Sequence, residues 1–252
     1  VVLEAGGYVE APPDTDWPAL RLSISSTFLG KGGTVTGSRV GFVSPAADGD
    51  EGEGDVGDLM LTRGGDGIHL NNGQSGPDTG SRGEFDAGSA VRGGDSSEGP
   101  GGDALVVNGF GTVAVIRGGT FAGGRGGIGT GGGEGEGDEH LRGLSVSVLN
   151  GGAAHVHGGS FEGDMRARSG GTVILHGCFL PDGDGSTYRG TFAGGDDGDE
   201  VAIRTDASGG GAIVPVASSD LECESFPSSE PTNYPTSTRA PTVTRPSSGS
   251  PG

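Results

Sequence analysis

His155, His157 and His176 are the residues whose types and spacing come nearest to a chemical site. His155 and His157 are two apart, so on a strand both side chains leave by the same face. His176 stands in Gly170-Gly-Thr-Val-Ile-Leu-His176 where His157 stands in Gly151-Gly-Ala-Ala-His-Val-His157. If those phrases stack, three imidazoles come within reach of one ion, an arrangement that suits zinc. The competing reading is an exposed polar row. Arg117 holds the equivalent place in a third copy of the phrase, and no carboxylate is set to orient the rings.

Acidic glycine loops are the second candidate: Glu51-Gly-Glu-Gly-Asp55, Glu134-Gly-Glu-Gly-Asp138, Asp182-Gly-Asp-Gly185 and Asp196-Asp-Gly-Asp199. Carboxylates on turns are hard oxygen ligands, and Asp196, Asp197 and Asp199 are the set that could take calcium weakly. Tandem calcium rolls complete each site with the next repeat's acids. These loops are isolated, so solvated corners compete with that reading. Polysaccharide-cleaving sites combine clustered aspartates with a histidine and a base; Asp196, Asp197, His157, His176 and Arg204 supply those types. Their order fits no polygalacturonase-like pattern, no basic subsite lines up, and a polyanion would meet an acidic body. The expectation is therefore no catalytic residue and no obligatory cofactor. Cys178 and Cys223 are read two ways, as a disulfide joining the body to its exit segment or as two independent small residues.

The elements that must position these groups are short and repeated. Gly111-Thr-Val-Ala-Val-Ile-Arg-Gly-Gly-Thr-Phe121, Gly151-Gly-Ala-Ala-His-Val-His-Gly-Gly-Ser-Phe161 and Gly170-Gly-Thr-Val-Ile-Leu-His-Gly-Cys-Phe179 share one plan. Alternating apolar residues are followed by a glycine corner, a small residue and a phenylalanine. The spacing from Phe121 to Phe161 and from Phe161 to Phe179 suits two turns and then one turn of a solenoid, at about 20 residues per turn. Phe121, Phe161 and Phe179, with Phe192 and Phe28, could form a platform on which sugars stack; the favoured expectation is an internal ladder of rings at the ~4.8 Å strand spacing. No 3.6-residue apolar period survives the glycines, so helix is not expected.

Among 252 residues, 58 Gly and 14 Pro with a formal charge of −19 would ordinarily mark disorder. The apolar residues cluster and alternate, however, and a stacked coil needs only a thin core. The acidic balance argues against nucleic acid, and no apolar run approaches a bilayer span. The chain opens Val1-Val2-Leu3 without methionine or leader, as a fragment or processed form would.

In chain order, residues 1–19 read as irregular, broken by Pro12-Pro13 and Trp17-Pro18. Residues 20–103 read as weak or decayed solenoid turns with acidic glycine loops, residues 74–103 among them as a long loop or decayed turn. Residues 104–222 read as the body with a closing unit. In it, strand-then-Asn-Gly units at Asn108-Gly109 and Asn150-Gly151 supply tight corners. Residues 223–252, with six prolines among many Ser and Thr, read as an extended disordered stalk.

The Gly-Gly-Thr-Val-x-Ile-x-Gly-Gly-Thr-Phe phrases, the Gly-Cys-Phe unit and Gly190-Thr-Phe-Ala-Gly-Gly-Asp196 resemble Gly-rich repeats of secreted, pectin-lyase-like β-helix surface proteins of marine microbes and algae. The resemblance covers residues 104–216. It implies an all-β, right-handed parallel β-helix (solenoid) outside the cell or at its surface, and no agreed activity. The expected role is a non-enzymatic structural, wall-associated or adhesive repeat protein meeting extracellular polysaccharide or matrix. The alternative is a polysaccharide lyase or glycoside hydrolase.

Overall fold

The computed structural model describes residues 1–13, 15, 17–23, 25–40, 63–72, 80–97, 99–127, 142–183, 185–193 and 200–217. The chain divides into two units, Val1–Leu221 and Glu222–Gly252, and the described residues all belong to the first. The stalk expected over 223–252 and the loops at 51–55 and 134–138 lie outside them, as do Cys223, Asp196, Asp197 and Asp199.

The described residues are all-β, without helix, and run in coils of three strands. The first coil is β1 (Val2–Glu4), β2 (Tyr8–Glu10) and β3 (Leu20–Ser23); the second is β4 (Thr27–Lys31), β5 (Thr34–Thr36) and β6 (Ile68–Asn71). The third is β7 (Arg82–Phe85), β8 (Ala90–Arg92) and β9 (Leu105–Asn108). The fourth is β10 (Val113–Ile116), β11 (Thr120–Ala122) and β12 (Val146–Leu149); the fifth is β13 (Ala153–Val156), β14 (Ser160–Glu162) and β15 (Met165–Arg168). β16 (Thr172–Asp182), β17 (Thr187–Phe192), β18 (Val201–Ser208) and β19 (Ala212–Val216) follow. Each strand of the coils except β14 pairs in parallel with the strand three places on, giving three ladders of a solenoid-like fold. We call them the β1, β2 and β3 ladders after their first strands.

Alternation places one apolar row per ladder inside. In the β2 ladder the row is Val9, Val35, Val91, Phe121 and Phe161, each paired in register with the next. Ahead of those residues stand Gly6-Gly7, Gly32-Gly33, Gly88-Ser89, Gly118-Gly119 and Gly158-Gly159, one corner per coil. The second glycine of the last two corners has positive φ, +98° and +122°, which a β-carbon disfavours. Phe28, Phe85 and Phe121 are fully buried among Ile68, Leu70, Leu105 and Ile116. Burial of each such ring contributes roughly 1.5–3 kcal/mol, the main favourable term for so thin a core. Rings and glycines alternate across the β1 ladder: Phe28 lies opposite Gly83, and Phe85 opposite Gly30. A β-carbon on Gly83 would stand 2.8 Å from Leu70 Cδ1 and 3.0 Å from Phe85 Cε2, so the glycine opens space for the neighbouring ring.

Register overturns three of the sequence expectations. Phe121 pairs directly with Phe161, so one coil separates them, not two. The fourth coil is long because β11 ends at Ala122 and β12 begins only at Val146. Residues 1–19, read as irregular, carry β1 and β2; residues 74–103 carry β7 and β8, so of the two readings given there the solenoid turn holds and the long loop does not. Their anchors were hard to see because Val9, Val35 and Val91 stand where later coils have phenylalanine. Finally, Phe179 and Phe192 are buried and continue the ring file beyond Phe161 as expected, at 4.9 Å from each other and 6.0 Å from Phe192 to Phe161, but Phe179 does not take a β2-ladder place. Gly177 is followed by Cys178 instead of a second glycine, and the chain runs straight on as the 11-residue β16 before folding back as β17. The β2 ladder therefore ends at β14.

Between the β2 and β3 ladders the coils are closed by backbone packed on backbone. Gly65 N–H donates to Ser38 O (3.1 Å), Gly94 to Gly65 (2.7 Å), Gly102 to Gly94 (2.8 Å), Gly124 to Gly102 (2.9 Å) and Gly143 to Gly124 (2.9 Å). The file alternates residues that leave β5, β8 and β11 with residues that enter β6, β9 and β12. Each insertion thus has both feet fastened, so its length does not disturb the register of the strands. β-Carbons on Gly94, Gly102, Gly124 or Gly143 would overlap a neighbouring carbonyl.

Candidate functional site

The three histidines come together on the outer face of the β1 ladder. His155 Nδ1 lies 3.2 Å from His176 Nε2, and the His157 and His176 rings stack with centroids 3.9 Å apart and planes 8° from parallel. The expected adjacency is present. The geometry is a stack of faces, though, and ring nitrogens bind metal in the plane of the ring, so parallel rings do not aim at one point. Among the described residues no group of three or more His, Cys, Asp or Glu could hold a metal ion. Burial lowers the pKa of His155, helped by the positive potential of His176 and Arg82. Burial likewise lowers that of His157, with His176, Arg117 and His155 adding to it.

A second cluster joins three coils near the glycine file. Arg63 Nη2 lies 2.7 Å from Asp103 Oδ1 and 3.1 Å from Asp66 Oδ1. Asp103 N–H donates to Asp66 Oδ1 (2.9 Å), and Leu144 N–H donates to Asp103 Oδ1 (2.9 Å). Burial pushes the Asp66 carboxyl up to about 6, and the Asp103 charge adds to the rise against the pull of Arg63. Arg63 is lowered by burial, but Asp103 and Asp66 outweigh this and raise its pKa. Beside them on β6, His69 Nε2 is buried without a hydrogen-bond partner among the described residues. Its pKa is lowered by burial, then by Arg21 and Arg63.

The third arrangement was not legible in the sequence. Arg142, Arg166 and Arg204, from before β12, on β15 and on β18, line a cavity of about 270 Å³ with Leu144, Phe161 and Asp164. It lies against β14, the last strand of its ladder, where the glycine-deficient phrase at Gly177-Cys178 sends the chain onward. Ion pairs hold the guanidiniums in place. Arg142 Nη2 is 2.6 Å from Glu162 Oε2, Arg166 Nε is 2.8 Å from Asp206 Oδ2, and Arg204 Nε is 3.5 Å from Asp164 Oδ1. Arg168 reaches the same Asp206 oxygen at 3.1 Å. Burial pushes Asp206 up, but hydrogen bonds and charge from Arg168 and Arg166 outweigh it and hold the carboxyl below its ordinary value. Three guanidiniums facing one hollow can hold an anion, while Asp164 accepts hydroxyl or amide hydrogen bonds.

The residues proposed for polysaccharide cleavage do not assemble as far as they are described. His157 and His176 belong to the β1-ladder face, whereas Arg204 lines the β14 cavity, and neither histidine lines that cavity. Cys178 carries a disulfide bond; Cys223, the partner considered from sequence, is outside the described residues. No helix among the described residues is long and apolar enough to cross a membrane. Searches against protein-family models, curated proteins and solved structures find no match for this chain.

Proposed function

We propose that this chain is a non-enzymatic extracellular structural, wall-associated or adhesive repeat protein whose body is a right-handed parallel β-helix. The disposition of its carboxylates carries the reading. Glu84, Asp103, Glu162, Asp164 and Asp206 each meet an arginine of a neighbouring coil, as Arg117–Glu84 (3.9 Å), Arg63–Asp103 (2.7 Å) and the pairs around the cavity do. Acids used this way fasten coil to coil. Glycoside hydrolysis instead needs two carboxylates converging on a groove with room for substrate between them. The test is to incubate the full chain with acidic and neutral polysaccharides and follow new reducing ends and unsaturated uronate absorbance. No product above a boiled control is expected. Turnover that disappears in Asp164→Asn would contradict the reading.

One observation favours the enzymatic alternative, a polysaccharide lyase or glycoside hydrolase. Asp66, held near 6, has the proton affinity of a general acid. Its oxygen is engaged by Arg63 and by the Asp103 N–H, and its side chain is only 14% exposed, which favours a structural part.

A further inference from the structure

We propose that the β14 cavity is a binding site for a single anionic sugar unit, a ring bearing one carboxylate or sulfate together with free hydroxyls, within an acidic polysaccharide. This deepens the adhesive reading and rests on it.

The argument begins with what makes the hollow. Five coils turn a glycine-rich corner into a β2-ladder strand; the sixth passes does not, because Cys178 follows Gly177 and β16 continues into the hairpin with β17. No strand of its own ladder follows β14; Phe192 of β17 packs on Phe161 instead, at 6.0 Å between centroids, and covers only part of that ring. Phe161, last of the inward row, remains half-buried there and forms part of the wall. Its ring stacks on Phe121 at 5.6 Å with planes 16° apart, so it is held rigidly.

Charge comes next. The chain carries −19 overall, with 15 Lys and Arg, yet Arg142, Arg166 and Arg204 face this one hollow, where Asp164 is the one lining carboxylate among the described residues and Glu162 and Asp206 brace two of the arginines from beside it. Their partners Glu162 and Asp206 hold two of them by one nitrogen each in the contacts above, Nη2 for Arg142 and Nε for Arg166. Arg142 also donates from Nε to Gly123 O (3.5 Å); a guanidinium carries five N–H donors, so Arg142 and Arg166 keep donors for a planar or tetrahedral anion, and Arg204 adds positive charge beside them. An inorganic anion alone would leave the aromatic wall unused and would bring no hydroxyl to offset its repulsion by Asp164. A sugar ring uses all three features: its anionic group meets the guanidiniums, a hydroxyl donates to Asp164, and its apolar face meets the part of Phe161 that lines the hollow between the contacts of that ring with Phe121 and Phe192. The volume, about 270 Å³, sits at the small end of ligand pockets and matches one ring rather than a long groove. The acidic remainder of the surface disfavours nonspecific capture of polyanions, so selectivity falls on this position.

The test is calorimetric titration of the full chain with three probes: a trigalacturonate, a sulfated trisaccharide and a neutral trisaccharide, with inorganic sulfate as a further control. Saturable binding of at least one anionic trisaccharide, weakened by salt and absent for the neutral one, is expected. The two anionic probes distinguish a uronate from a sulfate ester. Arg204→Gln and Arg142→Gln should each weaken binding at least tenfold, with β-sheet circular dichroism retained. Should a Gln variant unfold, Arg204→Lys supplies the reading: it keeps the charge, loses the fork, and should still bind more weakly than the parent. Equal binding of the neutral probe, equal binding of inorganic sulfate, unchanged affinity in the folded variants, or no binding of either anionic probe would overturn the proposal. Polymer cleavage would instead count against the non-enzymatic role, so the two failures are distinct.

Discussion

Phe121 meets a ring on either side, Phe85 at 5.3 Å and Phe161 at 5.6 Å between centroids, and is wholly buried. Phe121→Ala should cost roughly 3–5 kcal/mol, because the ring is lost and its neighbours cannot collapse without breaking strand register. Chemical denaturation of the two proteins checks this; an unchanged midpoint would remove Phe121 from the core. Phe161→Ala should cost less, since that ring is only partly buried. Asp66 gives an opposite kind of handle. Its folded-state pKa, about 6, lies above its ordinary value of 3.8. The protonated form is therefore favoured by folding, and its contribution is complete below about pH 4 and lost as pH rises through 6. Asp66→Asn, which mimics the protonated carboxyl, should gain roughly 2 kcal/mol relative to the parent between pH 4 and pH 7.5. A pH-independent difference between the two denaturation curves would contradict the assignment. His155 and His157 act with the other sign: their lowered pKa values mean stability present above 6.5 and eroded as the solution is acidified below it.

At the scale of elements, glycine performs two separable tasks. At Gly119 and Gly159 it supplies positive φ for the turn into a β2-ladder strand, whereas at Gly94, Gly102 and Gly124 it permits backbone to lie on backbone. Gly102→Ala should therefore destabilise well beyond the roughly 1 kcal/mol effects of glycine–alanine propensity, as its β-carbon would overlap the Gly65 carbonyl. Thermal melting followed by circular dichroism checks this; a variant as stable as the parent would show that the file is loose. The first task was readable: Gly-Gly followed by a small residue and Phe announced the corners at 118–121 and 158–161. Even the missing glycine at Cys178 could be seen beforehand, although its consequence, the straight run of β16, could not. The second task was not readable, because glycines that pack against one another from distant coils resemble a low-complexity loop when read along the chain. Phe85 was missed for the same reason. It stands alone among Gly, Ser and Asp, and only its neighbours Phe28 and Phe121 on adjacent coils reveal its place.

For the Val1–Leu221 unit as a whole, the period was the expectation that failed most usefully. About 20 residues per turn holds from His155 to Ile174, which pair in register. It does not hold from Val115 to His155, which also pair, because the long connection from Ala122 to Val146 lies inside that coil. Sequence distance measures circumference only where nothing is inserted, and the glycine feet that make insertion harmless leave no apolar trace. The candidate cavity was illegible on the same grounds. Arg142, Arg166 and Arg204 come from three separate stretches, and only the ladder order β12–β15–β18 makes them neighbours. The measurement that bears most directly on this architecture is cross-linking of Thr120→Cys with Ser160→Cys in one chain, mapped by peptide mass spectrometry after mild oxidation. These positions are direct partners on β11 and β14, so a disulfide between residues 120 and 160 should form at near-stoichiometric yield in the folded protein and not in denaturant. Two coils between them would hold the thiols about 9.6 Å apart, twice the strand spacing; a folded protein that fails to form the 120–160 bond would contradict the register on which the coil, the ring file and the cavity all depend.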